Sequence, residues 1–360
     1  MDIKIAINGY GRIGRCVLRA LYESDYCNEM KIVAINEPSD MGSIVHLTRF
    51  DSTHGRFQGD VSHTGNFLLI NGDPIHVSFE KEISGLPWAE LDIDVVFECS
   101  GSYTERKIAE RHLDCGAKKV IFSCPAENDV DATIVYGLND AILTGSERII
   151  SNASCTTNCI THVINELDGH LGIEHGVITT IHSMMNDQPV IDAYHHPDLR
   201  RTRSSGSSII PATTELAKGI DRLLPDLKGR FEAVSMRVPT INVSAMQLTA
   251  CVKTPTNADT VNEIMENASK SSLKGILGYT EIPLVSCDFN HDPRSAVIDG
   301  TQTGVIGETM VNIMAWFDNE WGYSNRMLDT TKVLFDTSRT AAVKKQVAGA
   351  EERKTYRFRQ

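Results

Sequence analysis

The chain has 360 residues, 41% hydrophobic and 23% charged, with a formal net charge of −12 and a sequence pI near 5.5. That length predicts two domains with their own cores, and the acidic balance argues against the basic face that nucleic-acid binding needs. It leaves room for a local basic pocket that takes a phosphorylated metabolite. No apolar run approaches the ~18 residues of a membrane span, and a strand pattern starting at Ile3 leaves no space for a signal peptide. Nine scattered cysteines predict a reduced, cytoplasmic protein.

Ile3–Ile7 reads as a short strand, followed by the turn Asn8-Gly9-Tyr10-Gly11-Arg12-Ile13-Gly14 and an amphipathic helix to about Glu23. Between a strand and a helix, Gly9-x-Gly11-x-x-Gly14 points to dinucleotide binding: the glycines allow a tight turn, pyrophosphate approach and helix–strand packing. A second strand, Lys31–Ile35, leads to Glu37. There a carboxylate accepts from the adenosine ribose and repels a 2′-phosphate, so NAD is favoured over NADP. Phe67–Ile70 and Ile75–Val77 form a hairpin pattern. Further strands are expected at Asp94–Glu98, Lys119–Phe122, Thr133–Tyr136 and Arg148–Ile150, with a helix at Glu105–Leu113. This alternation predicts a mostly parallel, doubly wound sheet. Ser100-Gly101 and Ser123 fall at strand ends, where such sheets bind ligands.

The run Ser151-Asn-Ala-Ser-Cys-Thr-Thr-Asn158 follows a short strand and opens a helix. Cys155, in the first turn, faces unpaired N–H groups and the positive end of the helix dipole, which favour a thiolate near neutral pH. Ser154, Thr156, Thr157 and Asn158 supply donors where an oxyanion or phosphate would sit. No second ligand pair accompanies Cys155 and Cys159, so no metal site is expected. The pattern then changes to longer strands at Gly176–His182, Phe231–Val238, Val243–Val252, Leu284–Phe289 and Met310–Phe317, with helices at Thr213–Leu224 and Ala258–Ser271. This reads as a mixed α+β catalytic domain. His182 closes its strand and suits the role of general base. The loop Ser183–Ser208 lacks periodicity, as functional or interfacial loops often do. From Asp336 on, seven Lys/Arg stand against three Asp/Glu in what reads as a solvated tail.

Over roughly positions 2–335 the sequence resembles the glyceraldehyde-3-phosphate dehydrogenase superfamily. The resemblance rests on Asn8–Gly14, Ser151–Asn158, His182, Arg237-Val-Pro-Thr-Ile-Asn-Val243 and Trp316-Phe-Asp-Asn-Glu-Trp-Gly-Tyr323. It implies a thiohemiacetal and a thioester on Cys155, with NAD as oxidant. It also implies Asn319 on the nicotinamide carboxamide with Tyr323 nearby, and anion binding by Thr214, Arg201 and Arg237 together with Ser154 and Thr156. Residues 1–154 would form the NAD-binding domain, rejoined by a helix at about 319–335. Residues 155–318 would form the catalytic domain, 336–360 the tail, and the protein a homotetramer. Met185 and Glu215 stand where the glyceraldehyde-3-phosphate enzymes place a threonine and a glycine. The run His182–Gln188, with Val190–His195 and Pro197–Arg203, is similar to the bacterial D-erythrose-4-phosphate dehydrogenases, apart from one inserted residue at His195-His196. That likeness implies oxidation of D-erythrose 4-phosphate to 4-phosphoerythronate, with Glu215 disfavouring phosphate attack on the thioester. A phosphorylating glyceraldehyde-3-phosphate dehydrogenase is the enzymatic alternative. A redox-sensing or nucleic-acid-binding protein on the same scaffold is the non-enzymatic one.

Overall fold

The structure is a computed structural model that describes residues 2–194 and 198–357, with side chains described up to residue 340. The inserted His195-His196 lies outside the described residues. Two large sheets organise the chain. The first takes β1 (Ile3–Asn8), β2 (Met30–Asn36), β5 (Val61–Thr64), β6 (Phe67–Ile70), β7 (Asp73–Ser78), β8 (Val95–Glu98), β9 (Lys119–Phe122), β10 (Ala132–Thr133) and β11 (Ile149–Ser151), while β3 (Phe50–Asp51) and β4 (Gly55–Arg56) form a separate ribbon. Its order is β10-β11-β9-β8-β1-β2-β7-β6-β5. The strands from β10 to β7 run parallel, and the expected hairpin is built into the sheet because β7 pairs with β2. Helices α1 (Arg12–Tyr22), α2 (Met41–Arg49) and α3 (Arg106–Asp114) belong to this half. The chain leaves β1 toward β2 on one side and β8 lies on the other, so a crevice opens at the carboxyl end of β1.

The second sheet contains β12 (Ile173–His182), β13 (Ile210–Ala212), β14 (Phe231–Arg237), β15 (Ser244–Val252), β16 (Leu277–Thr280), β17 (Ala296–Asp299), β18 (Gly304–Ile306) and β19 (Met310–Phe317). The order is β13-β14-β12-β15-β19-β17-β16, with β18 on β19. On its buried face lie α4 (Cys155–Leu171), α5 (Leu216–Leu223) and α6 (Ala258–Lys270). The last helix, α7 (Trp321–Arg357), returns to the first sheet, where Trp321, Tyr323, Met327, Leu328 and Leu334 join its core.

Three expectations are corrected, and two strands appear where none was expected. Leu284–Phe289 is not a strand: Asp288 Oδ2 accepts the Val285 N–H at 2.8 Å and closes a 3₁₀ turn over Ser286–Phe289. The strand expected at Thr133–Tyr136 stops at Thr133, because the Asn139 amide takes the Val135 N–H (2.8 Å) and the Thr133 carbonyl (2.9 Å). Strands β16, buried only in its first half, and β17, buried throughout, were not expected, since four-residue runs carry no clear alternation. Finally, the helix expected to end near 335 continues to Arg357. The tail is rich in Ala, Lys, Gln and Glu, whose intrinsic propensity sustains a helix without an apolar stripe.

Candidate active site

The glycine turn shows three kinds of constraint. Gly9 has φ +91, and a Cβ there would lie 2.5 Å from the Ser100 backbone. At Gly14 a Cβ would strike the Gly9 carbonyl and Ile7, so only glycine lets α1 pack on β1. Gly11, by contrast, faces open space, leaving the first-turn N–H groups of α1 (Arg12, Ile13) free to meet an anion. A cleft of about 470 Å³ lies alongside, lined by Gly9, Gly11, Glu37, Glu80, Ser100 and Tyr103 among others. The residues thus fit a dinucleotide: a dipole end for the pyrophosphate, and Glu37 at the tip of β2. Glu37 Oε2 accepts the Tyr10 N–H at 2.7 Å, which fixes the carboxylate against the turn.

Other members of the predicted set are placed differently. The Arg12 side chain turns away from the cleft and is gripped by Asp51 and Glu320. Tyr10 is buried, its hydroxyl 3.0 Å from Thr48 Oγ1. Ser123, at the end of β9, donates to the Glu98 carbonyl at 2.9 Å. Cys16, His54 and Glu320 bring three potential metal ligands within 4.8 Å of one another. Arg12 already supplies the positive charge there, and burial keeps Cys16 a thiol, so these donors form an ion-pair cluster and suit no cation.

Between β11 and α4 the chain makes a sharp elbow. Ala153 takes φ 56, a conformation costly for a residue with a Cβ. It is held because Ser151 Oγ accepts the Ala153 N–H at 3.1 Å and the Tyr323 hydroxyl donates to the Ala153 carbonyl at 3.0 Å. Ser154 then caps α4, accepting the Thr157 N–H at 3.0 Å. Cys155 follows at the first helical position. Asn158, expected as a donor to ligand, instead spends its amide on the Asn152 and Ser154 carbonyls at 2.9 and 3.0 Å. It supports the elbow. Thr157 is buried as well, with its hydroxyl 2.6 Å from Ser154 Oγ. Ser154 Oγ also lies 2.9 Å from the Thr156 hydroxyl.

His182, only 4% exposed, ends β12 with Nε2 3.8 Å from Cys155 Sγ. Its Nδ1 lies 2.8 Å from the Ser183 carbonyl, which can only accept, so the hydrogen bond assigns the proton to Nδ1 and leaves Nε2 as an acceptor. The expected preformed thiolate is corrected here. Burial pushes the Cys155 thiol up to about 11, against the pull of Arg237 and of the Thr156 and Cys155 N–H groups. Burial, helped by Arg237, likewise pushes His182 down to about 4. At rest the pair is thiol and neutral imidazole, and loss of hydration outweighs the helix N-terminus.

Asn319 lies across the site with Oδ1 accepting from Ser183 Oγ (2.9 Å) and Ser244 Oγ (2.8 Å). That orientation leaves its N–H₂ as the outward donor. On the far side, Arg237 is half-buried with Nε and Nη1 unpartnered. Arg201 is not free: Asp187 holds it at 2.9 Å. Thr214 Oγ1 accepts the Leu216 N–H at 3.2 Å, ahead of α5. Glu215 points to solvent and pairs with Lys218 at 2.6 Å, so its charge is largely spent outside the site. Ser183, Ser244 and Asp187 were not anticipated as site residues. Only strand register and loop folding bring them to it.

A doubly wound sheet with a dinucleotide cleft, facing a cysteine–histidine pair on a second sheet, defines a dinucleotide-dependent oxidoreductase of two folded halves. Residues 3–106 match the NAD binding domain of glyceraldehyde 3-phosphate dehydrogenase, and residues 154–319 match the C-terminal domain of glyceraldehyde 3-phosphate dehydrogenase. The chain belongs to that family and is an NAD-dependent dehydrogenase. Among the described residues no helix is long and apolar enough to cross a membrane.

Proposed function

We propose that the protein oxidises D-erythrose 4-phosphate to 4-phosphoerythronate through covalent intermediates on Cys155, with water as the final acceptor of the acyl group. Cys155 Sγ adds to the aldehyde carbon as its proton passes to His182 Nε2, giving a thiohemiacetal. The N–H groups of Cys155 and Thr156, aimed at the sulfur, are placed to steady the oxygen charge. NAD, when bound, accepts the hydride from the substrate carbon. His182 first returns the thiol proton to the oxygen, then takes up the hydroxyl proton as the thioester forms and releases it to solvent. It next takes a proton from the attacking water and gives it to the departing Sγ. The products are the acid and a regenerated thiol.

The observation that carries the choice of water is the Arg201–Asp187 pair. Arg237 has two buried donors without a partner, while the Arg201 charge is offset by Asp187 at 2.9 Å and Asp198 at 3.8 Å. Among the described residues the site therefore offers one uncompensated cation, Arg237, for the substrate's own phosphate, and a second, Arg201, whose charge is already balanced and so attracts inorganic phosphate less. Met185 supports the longer substrate, since a thioether cannot donate to a phosphate. The hydroxyls of Ser154, Thr156 and Thr214 favour the phosphorylating alternative on glyceraldehyde 3-phosphate. NAD reduction on both aldehydes, with and without inorganic phosphate, tests the reading. Turnover that requires phosphate and yields an acyl phosphate would overturn it.

By the same resemblance, the product feeds pyridoxal 5′-phosphate synthesis. Homotetramer assembly is supported by the outer face of the second sheet, where Val177 and Ile181 of β12 and Val234 and Met236 of β14 are exposed together. Nine cysteines without a disulfide support a cytoplasmic location.

A further inference from the structure

Where α7 begins against α1, four side chains form a line that crosses from one half of the protein to the other. Glu23 Oε2 lies 2.8 Å from His291 Nε2, His291 Nδ1 lies 3.2 Å from His54 Nδ1, and His54 Nε2 lies 3.1 Å from Glu320 Oε2. Each end is a carboxylate, which only accepts, so each outer contact needs an imidazole N–H. The middle contact joins two ring nitrogens and needs one proton. Three protons must therefore sit on two imidazoles, which is one positive charge for the pair. With two protons, one contact sets lone pair against lone pair. With four, two N–H groups face each other at 3.2 Å.

The surroundings fit a single positive charge. Arg12 pairs with both Glu320 and Asp51, and Asp51 Oδ1 accepts the N–H of His54 at 2.9 Å. Cys16 is a buried neutral thiol. Asp318 Oδ2 accepts the His291 N–H at 2.7 Å, and Asp292 beside it is paired with Arg294. The His291 ring stacks on Trp321 with centroids 3.6 Å apart. The His54 side chain is fully buried, while His291 is 34% exposed and supplies the route to solvent.

We propose that His54 and His291 are positioning residues: the proton they share fastens the start of α7, and with it Asn319, to the helix of the glycine turn, and so sets the geometry in which NAD is bound. Asn319 lies between Asp318, which holds the His291 backbone, and Glu320, which holds His54 and Arg12. Arg12 in turn is the first residue of α1, whose N-terminus faces the cofactor cleft. The pair touches no substrate. The proposal uses only the NAD site and is independent of which aldehyde is oxidised.

The test is NAD affinity of the full-length protein by calorimetry from about pH 5 to 8, the span where histidines commonly titrate. The wild type should bind best at intermediate pH and lose affinity on both sides. In His54→Gln the amide donates to Glu320 and accepts from His291, so peak affinity stays close to wild type while the acid-side loss disappears. His291→Phe keeps the ring on Trp321 but breaks the line, and should bind on the order of tenfold more weakly, as loss of a charge-assisted hydrogen bond implies. A wild-type affinity that ignores pH, or a His54→Gln variant that keeps the acid-side loss, overturns the proposal. Thermal melts establish that each variant is folded; if His291→Phe is not, the His54→Gln profile decides alone.

Discussion

His182 and Arg237 are register partners on the parallel strands β12 and β14, the last residue of each strand. The pairing sets an imidazole beside a guanidinium on one face of the sheet, next to Cys155. Arg237 disfavours a proton on His182 and favours the thiolate of Cys155. In the proposed mechanism it therefore keeps the base unprotonated while helping the sulfur to lose its proton during attack.

That arrangement fixes the pH behaviour of the wild type and of His182→Asn. The base is neutral above about 4 and the thiol intact below about 11. In the wild type, kcat/KM should show no limb from this pair near neutrality. Without the base only thiolate reacts, so the variant's rate should climb about tenfold per pH unit toward 11, and its turnover near neutrality should fall roughly 10²–10⁴-fold. Equal pH profiles for the two proteins would leave His182 without a role in proton transfer.

The same shift enters stability. His182 is held near 4 in the folded state, below the reference value of about 6.5. The unfolded chain then binds the extra proton first as pH falls. Its contribution is fully present above about 6.5 and is lost progressively down to about 4, where it levels off. Denaturant midpoints of wild type and His182→Asn should therefore converge as the pH is lowered through that window. A gap that stays constant with pH would contradict a buried neutral imidazole.

Much of this site was legible in the sequence, and the reasons are local. The glycine turn and the placement of Cys155 at a helix start are each written in contiguous residues. What was not legible depends on distant pairing. The Arg201–Asp187 bridge, the Ser183 and Ser244 hydroxyls on Asn319, and the His182–Arg237 register all join segments with no sequence signal for one another. The thiolate expectation failed for a related reason. Sequence shows a helix N-terminus but not how deeply the sulfur is buried. The full length of α7 was not legible because its last turns form a helix by propensity, without a strong apolar stripe.

Replacing Glu37 with glutamine should separate its support of the turn from its proposed part in ribose recognition. The amide oxygen can still accept the Tyr10 N–H, so the turn keeps its support. The negative charge is gone, which should weaken NAD modestly and improve NADP, whose extra phosphate the carboxylate repels. Alanine would remove both functions and confuse the reading. Binding constants for both cofactors measure the effect, and an unchanged ratio would place ribose recognition on another residue.

The fate of the thioester gives the last prediction, in which Asp187 and not Glu215 is the controlling charge. Glu215 is exposed and paired with Lys218, so Glu215→Gly should change phosphate-dependent turnover by no more than about twofold, in keeping with the small weight of exposed ion pairs. Asp187 sits deeper, holding Arg201 and acting electrostatically on Arg237. Asp187→Asn keeps the shape of the side chain but releases the Arg201 guanidinium to bind a second anion. Inorganic phosphate should then compete better with water, raising acyl phosphate as a share of product by about fivefold to tenfold, the value of one charge-assisted contact. The gain should shrink with added salt to the extent that the site is wet. Met185→Thr acts on a different group, restoring a donor for the shorter phosphoaldehyde, so its effect should appear in KM for glyceraldehyde 3-phosphate and not in the product ratio. Product analysis at fixed phosphate, for each variant alone and for both together, separates the two. If Asp187→Asn leaves the product ratio unchanged while Glu215→Gly alters it strongly, control of the acyl acceptor lies at the start of α5 and not at the arginine bridge.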